Sequence, residues 1–192
     1  MKKMMMNKLR KATAPLHEQI EKENLARYII DHSISLQDYK LLLLQNYIAY
    51  AVTEKAIAAH LEGYKGAKYL QLEKDLRELQ VEIPPFLKAF QEKISINSKT
   101  QALGAAYVVE GSALGGMLIA KELEECQNIS SVEQHHFFNG DRNNINGWKD
   151  FLKQVNSSEF TAEEETEAAE KAKETFRFFG EVFKIDAAAL SA

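Results

Sequence analysis

The chain has 192 residues, of which 45% are hydrophobic and 27% are charged, and its formal net charge at pH 7 is −4. This length suffices for one domain with a full core, and the acidic balance disfavours a general nucleic-acid binder. The single cysteine, Cys126, excludes an intrachain disulfide. The basic N-terminus is not followed by an apolar run, and the longest apolar stretch, LLLLQNYIAYAV, is interrupted by Gln45 and Asn46. We therefore expect a cytoplasmic protein without a membrane anchor.

Helical patterning runs along almost the whole chain, with three prolines and no sustained alternation of apolar and polar residues. The helices that we predict, in chain order, cover about residues 9–23, with a bend or restart at Pro15, 25–31, 36–61, 67–79, 86–93, 98–125, 148–155 and 161–183. FFNGDRNNING, between the sixth and seventh helices, is loop by composition. With no repeat and no break in composition, one all-α domain over residues 1–192, a multi-helix bundle, is the simplest interpretation.

Helix starts and ends are marked by specific residues. Ser35 with Asp38, and Thr161 with Glu164, have the spacing of N-terminal capping boxes. Gly63 and the glycine three residues later are expected to end the third helix.

The segment YVVEGSALGG, residues 107–116, places three glycines within six positions of a predicted helix. Each glycine costs a helix roughly 1 kcal/mol relative to alanine. Gly111 and Gly115 share one face, and Ser112 and Gly116 form the neighbouring row. The pattern fits close helix–helix packing, and it also fits a flat ligand lying against the backbone. The spacing of the glycines does not decide between the two.

A histidine in the first helix, LRKATAPLHEQIE, has a carboxylate one turn later. Glu21 can accept the Nδ1–H of His17, which leaves Nε2 free to bind a metal. Arg10 lies two turns before His17 on nearly the same face, where it can meet a carboxylate of a bound ligand. The same spacing also fits an ordinary surface pair, and a lone histidine on an apolar face is more often a core residue.

These segments together resemble the haem oxygenase family. LRKATAPLHEQIE resembles its proximal helix, and YVVEGSALGG resembles its glycine-rich distal helix in the form common among bacterial members. GWKDFLKQV and EKAKETFRFFGEVF resemble the last two helices, so the resemblance extends over about residues 9–183. It implies a compact helical fold with haem between the proximal and distal helices. It also implies an enzyme that uses O2 and electrons to open haem to biliverdin, with release of CO and Fe2+.

The resemblance also implies roles for individual residues. His17 matches the axial iron ligand, and Glu21 matches the carboxylate that orients it. Gly111, Gly115 and Gly116 match positions where the distal backbone approaches the haem face, so that the helix bends and lies over the macrocycle.

Ser112 departs from the animal members of the family, which carry an aspartate at the matching position. A serine holds a water but cannot take up a proton as a carboxylate does. Which group anchors the distal water network is therefore open. Glu110 points about 100° away from the neighbouring position on a regular helix, and it is assigned no catalytic role.

Further matches concern the edges of the haem. Tyr107 matches a tyrosine near the propionates, and Lys149 and Lys153 match basic residues that pair with propionates. Phe176 and Phe183 match aromatic residues near the haem edge. Each lysine is equally well explained as a solvated charge, and phenylalanines seven residues apart are more often plain core.

The remaining inferences concern partners and alternatives. The chain shows no Rossmann or flavin fingerprint and no set of cysteines for an iron–sulfur cluster. Electrons are therefore expected from a separate donor such as a ferredoxin or a flavin reductase. His135 and His136 are adjacent and form a poor chelate. A haem-binding or haem-sensing protein that does not turn over, and a helical bundle without haem, remain alternatives.

Overall fold

The computed structural model describes residues 4–83, 87–139, 142–186 and 188. Within these ranges the secondary structure is helical and includes no strand, which confirms the predicted all-α class. The α-helices, in chain order, are α1 (Met4–Glu23), α2 (Arg27–Ile30), α3 (Leu36–Ala58), α4 (Lys68–Glu78), α5 (Leu87–Gln91), α6 (Lys99–Leu123), α7 (Arg142–Ser157) and α8 (Ala162–Val182), with a 3-10 turn at Gln127–Ile129 between α6 and α7. The proline pair at 84–85, the predicted start at 86, positions 140–141 of the predicted loop and most of the C-terminal tail lie outside the described residues.

Both predicted N-caps are confirmed. The Ser35 hydroxyl accepts a hydrogen bond from the Asp38 N–H at 3.0 Å, and the Asp38 carboxylate accepts the Ser35 O–H at 2.7 Å. Thr161 and Glu164 form the full reciprocal box, with N–H···O distances of 3.2 and 2.8 Å. These side chains satisfy N–H groups that the first turn of a helix leaves without a partner.

The first helix is longer than predicted and is assigned as one continuous α-helix through Pro15. Proline lacks the N–H that would bond to the carbonyl of Lys11. Both residues are exposed, so water can satisfy that carbonyl. The helix therefore neither stops nor restarts at the proline.

The loop prediction is wrong over the second half of FFNGDRNNING, because α7 already begins at Arg142. Tertiary contacts override the low helix propensity of this segment. The Asn144 amide donates to the Gln71 side chain at 3.3 Å. A Cβ at Gly147 would collide with the Glu110 carboxylate of α6, so the glycine lets the two helices approach closely.

The central element is α3, which is buried on every side along the middle of its length, as expected for a helix that is apolar all round. α8 packs against α1, α6 and α3, and α6 also packs against α7. At Gly104 a Cβ would collide with the backbone carbonyl of Ala168, so this glycine sets the close contact of α6 with α8. α1 and α6 thus share α8 as a neighbour without packing extensively on each other.

One helix among the described residues, α6, is long and apolar enough to cross a membrane by length and composition alone. Half of its most apolar window is buried inside the protein. The core helix of a folded domain meets the same criteria, so the observation is weak evidence for a membrane span. The stretch considered for a membrane span from the sequence was a different one, LLLLQNYIAYAV, which lies in α3.

Candidate functional site

An open cavity of about 1020 Å³ lies between α1 and α6. Its volume is at the upper end of the range for small-molecule sites, about 300–1,000 Å³. Most of the residues that the sequence analysis singled out line it: Arg10, His17, Glu21, Tyr107, Gly111, Ser112, Gly115, Gly116 and Phe176. Lys149 and Lys153 do not. They lie on the exposed side of α7, so the structure does not bring them to the cavity.

On the α1 side, His17 and Glu21 are paired, with 3.5 Å between Nδ1 and Oε1. This is the outer limit for a hydrogen bond, and both side chains are largely exposed, 59% and 67%. The ring of Phe176 meets the His17 ring edge to face, with centroids 5.7 Å apart. Phe176 thus limits rotation of the imidazole, and Nε2 is the nitrogen left for a ligand.

On the α6 side, the glycines expose backbone to the cavity. A Cβ built at Gly115 or Gly116 meets no atom within 4 Å, and one at Gly111 meets only Trp148, at 3.6 Å. Close helix–helix packing therefore does not explain Gly115 and Gly116. The helix is assigned as continuous across this segment, and Gly63 alone among the described glycines has a positive φ. The exposed backbone thus results from missing side chains, without a break in the helix.

The lining of the cavity is mainly apolar. Ile30, Leu114, Met117 and Leu118 are each about half exposed and border the cavity. An exposed apolar patch of this kind marks a binding surface. Most of the aromatic lining was not predicted from the sequence: Tyr50, Phe137, Phe138, Trp148 and Phe179. In the sequence, the adjacent pair FF and the segment WKDF were the visible aromatic signals. Tyr50 on α3 and Trp148 on α7 are far apart along the chain, so the sequence did not indicate that they line one cavity.

The hydroxyl of Ser112 is engaged within the protein. It donates to the Val109 carbonyl at 2.8 Å and accepts from the Tyr50 O–H at 2.6 Å. Burial raises the pKa of Tyr50, so this tyrosine remains a protonated donor. The one hydrogen of Ser112 is thus directed at its own helix and away from the cavity.

Behind this serine lies a buried cluster of charges that the sequence analysis did not find. The residues Glu54, Lys68 and Glu110 have exposures of 1%, 4% and 4%. The Lys68 Nζ lies 3.4 Å from a Glu110 oxygen, and the Tyr64 O–H donates to the other oxygen at 2.8 Å. The Lys68 ammonium also donates to the carbonyl of Val109.

Glu54 completes the cluster from α3. Its carboxylate accepts the backbone N–H groups of Lys68 and Tyr69 at 3.1 and 3.0 Å. Burial, the largest effect, raises the pKa of Glu54 to about 7, and burial lowers the pKa of Lys68. In the sequence, the one sign of this cluster was a charged residue, Glu110, within an apolar helix. The partners of Glu110 are Lys68 on α4 and Tyr64 in the loop before α4.

A second cavity, of about 640 Å³, adjoins this cluster. Glu110, Tyr64 and Gly147 line it, together with the exposed Asp150. Lys68 lines both this cavity and the larger one.

The histidine pair at 135–136 has structural partners. The Nδ1 of His135 lies 2.6 Å from the Tyr39 hydroxyl, and the Nε2 of His136 lies 3.0 Å from Glu78. Asp75 accepts two backbone N–H groups of this segment at 2.7 and 2.9 Å, and burial raises its pKa to about 6. In the described part of the chain, no three His, Cys, Asp or Glu side chains are grouped to hold a metal ion.

The fold and the larger cavity together define an all-helical protein that can hold a large, flat, mainly apolar ligand between two helices. The family model described as Heme oxygenase matches residues 3–185, and the chain belongs to the haem oxygenase family. A solved structure with the same fold is the heme oxygenase of Neisseria meningitidis, in its NO- and CO-bound forms. The likeness has a TM-score of 0.68 at 22% identity and covers 94% of this chain and 90% of that chain. No curated protein matches the chain.

The residues that line the cavity fit a haem. A single imidazole with one free nitrogen is a common axial ligand of haem iron. The bare backbone at Gly115 and Gly116 leaves open space for the opposite face of the ring. The apolar border suits the body of the macrocycle, and Arg10 offers a cation for its carboxylates.

Proposed function

We propose that the protein is a biliverdin-producing haem oxygenase, which opens haem oxidatively with O2 and electrons from a separate donor and releases CO and Fe2+. One observation carries the proposal: His17 on α1 and the open glycine backbone of α6 line the same apolar cavity. The family to which the chain belongs supports the same activity.

Bound haem would supply both the iron that handles O2 and the ring that is oxidised. His17 holds the iron through Nε2, and Glu21 holds the histidine in the tautomer that leaves this nitrogen free. The bare backbone at Gly115 and Gly116 would let a bound ring lie close to α6 and would leave room there for a small ligand such as O2. The aromatic side chains exclude water from the edges of the ring.

The propionates are assigned to Arg10 at the cavity lining, with Tyr107 beside the edge of the ring. Lys149 and Lys153 carry no role in the proposal because neither lines the cavity. The electron donor is a separate cytoplasmic protein of the ferredoxin or flavin-reductase type, and the haem oxygenase itself is placed in the cytoplasm.

The proposal is tested by titrating the purified protein with hemin and then adding a ferredoxin system or ascorbate under air. We expect a sharp Soret band that decays into the broad red absorption of biliverdin. His17→Ala should lose the sharp band, because the iron loses its axial nitrogen. His60→Ala is the matched control, since His60 is exposed and does not line the cavity. A His17→Ala spectrum identical to that of the unaltered protein would refute the assignment of the axial ligand.

A second function is a haem-binding or haem-sensing protein without turnover. The engaged hydroxyl of Ser112 favours it, because this serine donates to Val109 instead of into the cavity. A Soret band that persists under reductant and air would establish this alternative. The absence of any Soret band would refute both functions.

A further inference from the structure

In the proposed reaction, ring opening requires protons on the α6 side of the larger cavity, between α1 and α6 (the haem cavity). Each electron delivered to oxygen that ends as water is accompanied by one proton. Ser112 lines this side, but its hydrogen is committed to the Val109 carbonyl. A hydroxyl in that position relays a proton only when another group resupplies it.

A buried ammonium ends beside this serine. The Lys68 Nζ and the Ser112 Oγ both donate to the same oxygen, the carbonyl of Val109. The Tyr50 O–H donates to the Ser112 Oγ at 2.6 Å. The Lys68 Nζ also lies 5.8 Å from the centre of the Tyr50 ring. Lysine, tyrosine and serine thus form one connected polar group at the wall of the haem cavity.

The same lysine is joined to a carboxylate that borders the second cavity. Glu110 lies 3.4 Å from the Lys68 Nζ, and Glu110 lines the second cavity but not the haem cavity. Because Lys68 lines both cavities, the ion pair of Lys68 with Glu110 stands between them. The second cavity is polar enough to hold water, with Asn146 and Asp150 exposed in its lining.

The cluster carries one ammonium against two carboxylates, Glu54 and Glu110, and all three residues are buried. Two buried carboxylates and one ammonium leave one uncompensated negative charge when all are ionised, which favours uptake of a further proton. Burial raises the pKa of Glu54 to about 7, so the cluster can exchange that proton near neutral pH. The other titratable groups that interact with Glu54 and Glu110 are Tyr50 from α3 and Tyr64 from the loop before α4.

We propose that Glu110 and Lys68 relay protons from water in the second cavity to the α6 side of the haem cavity. The Lys68 ammonium gives a proton to the haem cavity, which it lines, and becomes a neutral amine. The Glu110 carboxylate takes up a proton from water in the second cavity and passes it to this amine, so the ion pair and the charge of the protein are restored at the end of each cycle. The electrons come from the external donor. This inference rests on the proposed function, and it names the proton source that the serine at position 112 left open.

The first test is Glu110→Gln, which keeps the shape of the side chain and removes the carboxylate that takes up and passes on the proton. We expect hemin binding and the Soret band to be unchanged and ring opening to slow by about 100-fold or more, since positioned proton transfer contributes roughly 10²–10⁴-fold. A small weak acid such as formic acid, which fits the second cavity, should restore part of the rate. Glu165→Gln is the matched control, because Glu165 is a buried glutamate of α8 that lines neither cavity.

A second readout needs no haem. In an infrared pH titration of the haem-free protein, a carboxylic acid band should titrate with a midpoint near 7 and vanish in Glu54→Gln. The midpoint should fall in Glu110→Gln, because the negative charge of Glu110 is one of the effects that raise the pKa of Glu54. If the single variants do not fold, the double variant Lys68→Met with Glu110→Leu removes both members of the ion pair together, and Glu54, whose pKa is raised by burial, stays protonated beside the apolar replacements.

Unchanged ring opening in Glu110→Gln, or in the double variant, would overturn the relay. A slow variant that no weak acid rescues would also overturn it, because a purely structural role predicts that result. Failure of the proposed function has a different signature: the unaltered protein binds hemin and does not open it. In that case the infrared titration still tests the cluster: an unshifted midpoint in Glu110→Gln would refute the electrostatic coupling of Glu54 with Glu110.

Discussion

The open glycine backbone has two consequences, a less stable helix and free space for a ligand. The substitution Gly115→Ala tests them separately. Replacing glycine by alanine within a helix stabilises it by about 1 kcal/mol, and the added Cβ meets no atom within 4 Å. The haem-free protein should therefore become more stable, with a melting temperature roughly 2–4 °C higher for a chain of this size. The methyl group would stand in the space that the ring needs. Overpacking of this kind costs about 1–3 kcal/mol, so hemin should bind about 5- to 150-fold more weakly.

The assay combines thermal denaturation of the haem-free protein with a hemin titration followed at the Soret band. Gly180→Ala is the matched control, because a Cβ at Gly180 also meets no atom within 4 Å and Gly180 does not line the cavity. The control should gain stability and keep its hemin affinity. If Gly115→Ala binds hemin as tightly as the control does, the backbone at this position does not lie against the ligand. A lower melting temperature for Gly115→Ala would refute the interpretation that the space beside Gly115 is open.

Three further predictions concern stability. Gly104→Ala forces a Cβ onto the Ala168 carbonyl, a backbone atom that cannot rotate away, so thermal denaturation should show a loss of roughly 2 kcal/mol; an unchanged melting temperature would contradict this close contact. Thr161→Ala removes an N-cap and should cost about 1 kcal/mol in urea denaturation, and no loss would mean that the capping box contributes little. Burial raises the pKa of Glu54 from 4.5 to about 7 in the folded protein. The resulting contribution to the free energy of unfolding, roughly 3 kcal/mol, is fully present below pH 4.5 and is lost as pH rises through 7. Asp75, whose pKa is raised to about 6, acts in the same direction. Urea denaturation from pH 5 to 8 should show a steeper loss for the unaltered protein than for Glu54→Gln, and parallel profiles would refute the assignment.

The sequence predicted the elements that depend on local chemistry. Ser35 and Thr161 cap helices because their side chains bond within the next turn, and the structure confirms both. The start of α7 was missed because its asparagines and Gly147 are poor helix formers taken alone. Contacts of α7 with α4 and α6 decide the conformation there, and no local pattern reports those contacts.

The candidate site was predicted unevenly for a related reason. His17 and Glu21 are one turn apart, so their proximity follows from helix geometry. Lys149 and Lys153 were placed by resemblance alone, and one residue of slip rotates a helix position by about 100°. The pairing of Lys68 with Glu110 joins two separate helices, and periodicity along one helix cannot reveal which partner lies opposite.

The separation of α1 from α6 has a consequence for the protein's lifetime in a cell. Both helices pack on α8, and the cavity between them is bordered by exposed apolar side chains such as Leu114 and Leu118. A ligand bound there adds stability by mass action, about 2.7 kcal/mol at a concentration 100 times its dissociation constant. Without it, opening of α1 has a lower free energy, and transient opening is what proteases detect. The amount of this protein should therefore rise and fall with the supply of the ligand that fills this cavity.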